Sequence, residues 1–310
     1  VFAWRIALIK KGTKKPAGAH TRPAGKEAYV ANVSAPTGSR KNFPDAFSLR
    51  KQKKHTTGPL KISSGYGVKN LADKKIGTDP KERLIFALDA PSRYEAEKFV
   101  GELDGTVDFF KVGIILHTSA GPDFISYLLK KGKKVFLDLK FFDIGETVRD
   151  AVRCAADSGV DFLTVHAVRQ VVESAVEGAA SSKLKILAVT LLTSLGTRDL
   201  QESGTGMKAE NLVLLRAKIA QEAGCAGIIT SGKEIASIRK TVGNNLLVVT
   251  PGVRPQGTST DGHKRFVTPF EAIKAGADYL VVGRPIKNAG NPREAALKII
   301  GEMDEALNRS

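Results

Sequence analysis

From residue 84 to residue 307, short apolar runs alternate eight times with amphipathic stretches, and this rhythm limits the fold more than any other feature of the chain. The strand-like runs are Leu84 to Leu88, Phe109 to Ile115, Val135 to Lys140, Phe162 to Ala167, Ile186 to Leu192, Gly227 to Thr230, Leu246 to Val249 and Tyr279 to Val282. The helical stretches that follow them are Arg93 to Leu103, Pro122 to Lys131, Thr147 to Ser158, Val171 to Ala180, Ala209 to Ala223, Lys233 to Val242, Pro269 to Ala275 and Pro292 to Leu307. Strands joined through helices run parallel, because the helix carries the chain back to the starting edge of the sheet. Eight such units in about 230 residues match a closed barrel. An open, doubly wound sheet is the alternative, but it would place a glycine-rich phosphate loop after its first strand, and Ala87-Leu88-Asp89-Ala90-Pro91-Ser92 has no G-x-G-x-x-G. The pattern predicts an α/β chain folded as a (β/α)8 TIM barrel over residues 79–310.

Charge marks off the rest. The chain carries 48 Lys+Arg against 32 Asp+Glu, a net of +16. Residues 1–78 hold 17 of the basic and 3 of the acidic residues, a net of +14, which leaves +2 for the remainder. The basic pI is therefore a property of the amino-terminal segment, whose Gly, Pro, Ser, Thr and Lys show no sustained period and read as a low-order extension. Val1 to Ile9 suggests a short helix, too short to span a membrane and without the small-residue cleavage pattern of a secretory signal. An organelle transit peptide and a nucleic-acid-binding tail fit the composition as well. No aromatic residues stand within the lysine clusters Lys10-Lys11, Lys14-Lys15 and Lys51-Gln52-Lys53-Lys54 in support of nucleic-acid binding, so a dispensable extension is the favoured reading. Cys154 and Cys225 both read as small core residues in a reducing, cytoplasmic compartment, and they suggest no metal site. His166 reads as a core histidine satisfied by a neighbour.

Barrel chemistry gathers at the carboxyl ends of the strands, and unusual residues stand there. Asp89 ends the first run, Lys111 lies in the second, Asp138 and Lys140 end the third, and Thr193-Ser194 follows the fifth. Arg254, in Pro251-Gly252-Val253-Arg254-Pro255, follows the seventh, and Gly283-Arg284-Pro285 ends the eighth. Taken singly, Asp89 reads equally well as a helix cap, and Arg254 or Arg284 as a surface residue. Their shared rim favours a site. Glycine at 283 lets backbone N–H groups approach an anion, and Arg284 adds a planar donor fork, so the rim after strands seven and eight predicts a phosphorylated substrate.

The third run is the most demanding. Alternation puts Phe136, Asp138 and Lys140 on one face of the strand and Val135, Leu137 and Leu139 on the other, so carboxylate and ammonium lie side by side. Asp143, three residues further on, is expected to turn back toward the same cation. An ordinary rim ion pair carries comparable weight for an isolated D-x-K-x-x-D.

Leu137-Asp138-Leu139-Lys140-Phe141-Phe142-Asp143-Ile144 does not stand alone. Together with Phe86-Ala87-Leu88-Asp89, Thr190-Leu191-Leu192-Thr193-Ser194, Pro251-Gly252-Val253-Arg254-Pro255 and Val282-Gly283-Arg284-Pro285, in order over residues 82 to about 307, it resembles the bacterial-type orotidine 5′-phosphate decarboxylase family. The resemblance implies decarboxylation of orotidine 5′-phosphate to UMP in de novo pyrimidine synthesis, with no metal and no cofactor. It implies Lys140 as proton donor, Asp138 as the carboxylate facing the substrate's own, and Lys111 and Asp143 as the remainder of a Lys-Asp-Lys-Asp network. It also implies a homodimer in which Asp143, with Thr147 nearby, reaches the partner's site. Asp89 and Lys111 then contact the ribose, Thr193 the pyrimidine, and Arg254, Gly283 and Arg284 the phosphate region.

Two segments depart from the family pattern. Ile144-Gly145-Glu146-Thr147-Val148 keeps the threonine of Ile-Pro-Asn-Thr-Val but changes the loop. His263, in Asp261-Gly262-His263-Lys264-Arg265, stands where a glutamine usually bridges phosphate and base, which makes that hydrogen bond dependent on imidazole protonation. The nearest rival is a Mg²⁺-dependent sugar-phosphate decarboxylase or aldolase sharing D-x-K-x-x-D. That chemistry needs further carboxylate ligands at the mouth, and Lys111 stands where that group tends to carry an acid.

Overall fold

The computed structural model describes residues 79–255 and 267–309. The eightfold pattern closes on itself as a parallel barrel in simple sequential order, each strand pairing with the next and the eighth with the first. The strands are β1 (Leu84–Ala87), β2 (Phe109–Gly113), β3 (Lys134–Phe141), β4 (Phe162–His166), β5 (Lys185–Val189), β6 (Gly227–Ile229), β7 (Leu247–Pro251) and β8 (Tyr279–Val282). The helices are α1 (Arg93–Glu102), α2 (Ile114–Lys130), α3 (Gly145–Asp157), α4 (Arg169–Ala179), α5 (Thr197–Glu202), α6 (Ala209–Glu222), α7 (Ile235–Val242), α8 (Pro269–Lys274), α9 (Arg284–Lys287) and α10 (Pro292–Asn308). The TIM-barrel expectation is borne out. The basic segment 1–78 and His263 lie outside the described residues.

Strand alternation sorts the core into two layers. Ile85 and Ala87 of β1 point into the barrel with Phe109, Phe136 and Phe162, while Leu84 and Phe86 point out beneath the helices. Phe162 stacks edge-on against Phe109, Phe136 and Tyr279, with ring centroids 4.9, 5.9 and 5.3 Å away. These rings sit at or near the amino ends of their strands and fill the barrel floor, each buried aromatic contributing about 1.5–3 kcal/mol. The opposite end of the barrel is left for polar residues.

Several element boundaries differ from the sequence reading, each for a local reason. α2 begins at Ile114 rather than Pro122, because two helical pieces join through Gly121, whose positive φ of 65° lets the chain bend before Pro122. β5 stops at Val189, and the Thr190-Leu191-Leu192 run continues as loop. α5 and α9 have six and four residues, too few to show a helical period. Asp89 is not the cap of α1; that role falls to Ser92, whose hydroxyl accepts from the Glu95 N–H at 3.3 Å. Cys225 is buried, and burial pushes its thiol up to about 12. Cys154, read as a core residue, is exposed. The buried positions of α3 are Val148, Val152 and Ala155, and Cys154 falls one residue off that stripe.

Candidate active site

Three neighbouring strands deliver the charged residues. In β2, Phe109 faces the barrel interior, and alternation turns Lys111 the same way at the carboxyl end. In β3, Phe136 points inward and Asp138 follows two residues later. The register sets Ala87 beside Lys111 and Gly113 beside Asp138, which brings the ends of β1, β2 and β3 to one level.

The result is a row of alternating charge. Lys111 Nζ donates to Asp89 Oδ1 at 3.0 Å and lies 3.5 Å from Asp138 Oδ2, while Lys140 Nζ donates to Asp138 Oδ1 at 2.8 Å. Lys111 is only 8% exposed, and placing an ammonium there is tolerated because two carboxylates flank it. Burial alone would push the Asp138 carboxyl up. The Lys111 and Lys140 charges, with hydrogen bonds from Lys140 and Thr164, outweigh that and hold it below the usual carboxylate range. Asp138 is therefore ionised at neutral pH.

The alternation predicted for β3 does not run through to Lys140. Leu137 pairs with Leu163 and Phe141 with Val165, so three residues of β3 face the single residue Thr164. This bulge gives Lys140 a φ of 52°, the one positive value among described non-glycine residues. Such a backbone costs of order 1–3 kcal/mol and persists only where its surroundings hold it. Here the Thr164 hydroxyl accepts from the Lys140 N–H at 3.0 Å and donates to Asp138 Oδ1 at 2.9 Å.

The remaining sequence-predicted residues are placed as follows. Asp143 is exposed, and its Oδ1 accepts from the Ile144 N–H at 2.7 Å. It forms no ion pair with Lys140 or any other described residue of its own chain, so the expected return to that cation does not occur within this chain. Phe142 and Ile144, on either side of it, are 66% and 67% exposed. Thr147 is exposed in the first turn of α3, and Thr193 is exposed in the loop after β5. Arg254 follows β7, half-buried, with its N–H donating to the Val267 carbonyl at 3.1 Å. Gly283 caps α9 and Arg284 is its exposed first residue. A Cβ on Gly283 would stand 3.3 Å from Ala87 Cβ, so glycine keeps β8 close to β1.

Sequence reasoning missed three contributors. Thr164 sits in an apolar run with nothing local to mark it, although a threonine level with Asp138 on the next strand is a signal in retrospect. Gly113 leaves room for the charged row: a Cβ there would lie 3.1 Å from Lys111 Nζ and 3.4 Å from Asp89 Oδ1. Lys287 of α9 donates to the Asp89 carbonyl at 2.7 Å and pairs with Glu95 at 3.2 Å, tying α9 to the loop after β1. His166 is half-buried, and burial, with the charges of Arg216 and Lys140, pushes its imidazole pKa down. Its ring meets Phe142 edge-on at 5.5 Å, in place of the buried, satisfied setting expected for it.

Among the described residues, no three His, Cys, Asp or Glu side chains converge as a metal site, and no helix is long and apolar enough to cross a membrane. A cavity of about 670 Å³ opens at the amino ends of the strands, lined by Lys134, Asp161, Phe162, Lys185 and Tyr279 among others. It lies at the end of the barrel opposite the charged row, and barrel enzymes place their chemistry at the carboxyl end.

Comparison with known proteins agrees with this geometry. Residues 82–299 match the model of the orotidine 5′-phosphate decarboxylase / HUMPS family. The chain is 47% identical over 227 residues to orotidine 5′-phosphate decarboxylase of Nitrobacter winogradskyi, covering 73% of this chain and 95% of that protein. It is 48% identical over 226 residues to the Afipia carboxidovorans protein of the same name, covering 73% and 96%. The crystal structure of orotidine 5′-phosphate decarboxylase from Lactobacillus acidophilus superposes with a TM-score of 0.65 at 36% identity, over 71% of this chain and 98% of that one. With the barrel, the charged row and these relatives in agreement, the chain belongs to the orotidine 5′-phosphate decarboxylase / HUMPS family.

Proposed function

We propose that this chain decarboxylates orotidine 5′-phosphate to UMP without metal or cofactor, with Lys140 as the proton donor. The observation that carries the reading is the alternating row Asp89, Lys111, Asp138, Lys140 at the barrel mouth. The names of the curated relatives supply the substrate.

The chemistry explains why such a row is useful. Breaking the bond between C6 and the departing CO₂ leaves an electron pair in an sp² orbital that the pyrimidine ring does not delocalise. The Lys140 ammonium stabilises that charge as it develops and then gives its proton to C6, regaining one from water. Asp138 keeps Lys140 charged and crowds the substrate carboxylate. Two like charges about 4 Å apart repel by roughly 4 kcal/mol at an effective dielectric near 20, whereas enzymatic barrier reductions are typically about 8–23 kcal/mol. Repulsion is a minor share. The preorganised cation and the binding energy of the phosphate, held near Arg254, Gly283 and Arg284 with His263 bridging to the base, supply the rest. Asp89 and Lys111 hold the ribose, and Thr193 the pyrimidine.

In this reading the enzyme is a cytoplasmic homodimer. Asp143 finds no cation among the described residues of its own chain, and the exposed Phe142 and Ile144 beside it form an apolar rim that a second copy would cover. Asp143 and Thr147 then complete the partner's site. Residues 79–310 are the decarboxylase domain, and residues 1–78 take no part in turnover.

The test is the fall in orotidine 5′-phosphate absorbance, with matching CO₂ release, on adding the purified chain in excess EDTA. Turnover unaffected by the chelator is expected. No turnover with or without Mg²⁺ overturns the reading, and turnover of a sugar phosphate that requires Mg²⁺ assigns the chain to enediolate chemistry instead.

A further inference from the structure

The bulge in β3 creates a backbone problem that one side chain solves. Over the stretch in which β4 advances from Leu163 to Val165, β3 advances from Leu137 to Phe141. The Lys140 N–H has no regular ladder partner there, and it donates to Thr164 Oγ1 at 3.0 Å. A hydroxyl has one proton to give. Thr164 gives it to Asp138 Oδ1 at 2.9 Å, the same oxygen that accepts from Lys140 Nζ at 2.8 Å. The three bonds close a ring that ties both the main chain and the ammonium of Lys140 to one carboxylate oxygen through one hydroxyl. Thr164 is 0% exposed, so no water competes for either bond.

We infer that Thr164 is a positioning residue for the Lys140–Asp138 pair, its hydroxyl holding the left-handed backbone at Lys140 and fixing the Asp138 oxygen that orients the ammonium. The inference rests on the reading of Lys140 as the proton donor. A threonine that merely filled the core would be replaced by valine at little cost, because the two side chains share a shape. The ring instead needs an oxygen that accepts from one group and donates to another, which valine lacks and serine keeps. The groups facing Asp138 are Lys111 from β2, with Asp89 beyond it, Lys140 from β3 and Thr164 from β4. The charge of Lys140 also reaches His166, as does that of Arg216. Removing the Thr164 bond takes away one of the interactions that keep the Asp138 carboxyl ionised, so that carboxyl should titrate at higher pH.

The test uses the full chain, T164V and T164S, with kcat and KM for orotidine 5′-phosphate measured across a pH series and thermal melts alongside. For T164V, kcat should fall roughly 10- to 100-fold, the effect of a misplaced reacting group. KM should change by less than about threefold, and the acid limb of the profile should move to higher pH. T164S should recover most of kcat. Wild-type kcat in T164V, or equal losses in folded T164V and folded T164S, overturns the inference. If T164V does not fold, T164S decides: near-wild-type kcat with a lower melting temperature supports the role, and lost kcat in folded protein rejects it. If the unmodified chain has no turnover, the functional reading fails by itself. The positioning role is then read from the Asp138 carboxyl NMR titration, which should move up in T164V, or in T164A relative to T164S if valine does not fold. An unchanged midpoint rejects the role.

Discussion

The Lys140 ammonium lies 2.8 Å from the carboxylate of Asp138, the residue two positions before it on the same strand. In a regular strand those two side chains would project in parallel from one face. The bulge between Leu137 and Phe141 instead lets the lysine bend back onto the acid. Lys140→Ala should lower kcat by more than about 10⁴-fold, because it removes both the electrostatic stabilisation and the acid. Lys140→Arg should be almost as poor, since a guanidinium holds its proton too tightly to deliver it. Asp138 keeps Lys111 as a partner in both variants, so their melting temperatures should stay within a few degrees of wild type. Near-normal turnover by either variant would remove Lys140 from the mechanism.

A dimer with shared sites makes a stoichiometric prediction. Lys140→Ala and Asp143→Ala homodimers should each be inactive. In a mixed dimer, the site built on the Asp143→Ala subunit has an intact Lys140 and takes an intact Asp143 from its neighbour. Equal mixing with subunit exchange should restore about one quarter of wild-type activity, because half the dimers are mixed and each has one good site. Mixtures that stay inactive despite proven exchange would show that Asp143 serves its own subunit.

The barrel was readable from the sequence because its signal repeats: each β/α unit presents a buried apolar run followed by a one-sided helix, and eight repetitions leave little room for another architecture. The charged row was readable in part. Asp89, Lys111, Asp138 and Lys140 are brought together by parallel pairing of neighbouring strands, which chain order already implies. Two features were not readable. The bulge breaks the one-for-one pairing that strand alternation assumes, and no residue near Lys140 is a glycine that would announce a positive φ. Gly113 carries no local signal, since its backbone is ordinary and extended with a φ of −94°; its value lies in the space it leaves for Lys111, which only the fold defines.

That space can be tested directly. Gly113→Ala should be tolerated by the backbone, which is extended at this position, and the fold should remain. The added methyl would stand 3.1 Å from Lys111 Nζ, closer than a relaxed contact, and would press on the 3.0 Å bond from Lys111 to Asp89. The ammonium sits at the end of a flexible side chain and would give way, disturbing the row. We expect kcat/KM to fall about tenfold or more with an unchanged melting temperature. Wild-type kcat/KM would show that the Lys111–Asp89 contact is not part of the working geometry.

At the other end of the barrel, Lys133 is 7% exposed and donates to Asp104 and Asp108 at 2.7 and 2.8 Å. The hydrogen bonds from Lys133 hold both carboxyls below their usual range. Burial works against the charged Lys133 amine, but the bonds to Asp104 and Asp108 outweigh it and raise its pKa. The signs follow by linkage. The carboxylates' contribution is present above their unfolded-state pKa and is lost as pH falls through their lowered folded values. The share of Lys133 is present below its unfolded-state pKa and is lost as pH rises through its raised folded value. Stability of the full chain should therefore be level around neutrality and decline toward both extremes. In Lys133→Met the bonds to Asp104 and Asp108 are gone at every pH and only the Lys81–Asp108 pair at 3.4 Å remains, so the melting temperature should be lower at neutral pH and fall by less on acidification than in wild type. Asp138 and its partners remain in both proteins, which makes the difference a measure of this cluster. Equal acid sensitivity of the two proteins in circular-dichroism melts would mean that Lys133 fills space at the barrel floor without holding charge together.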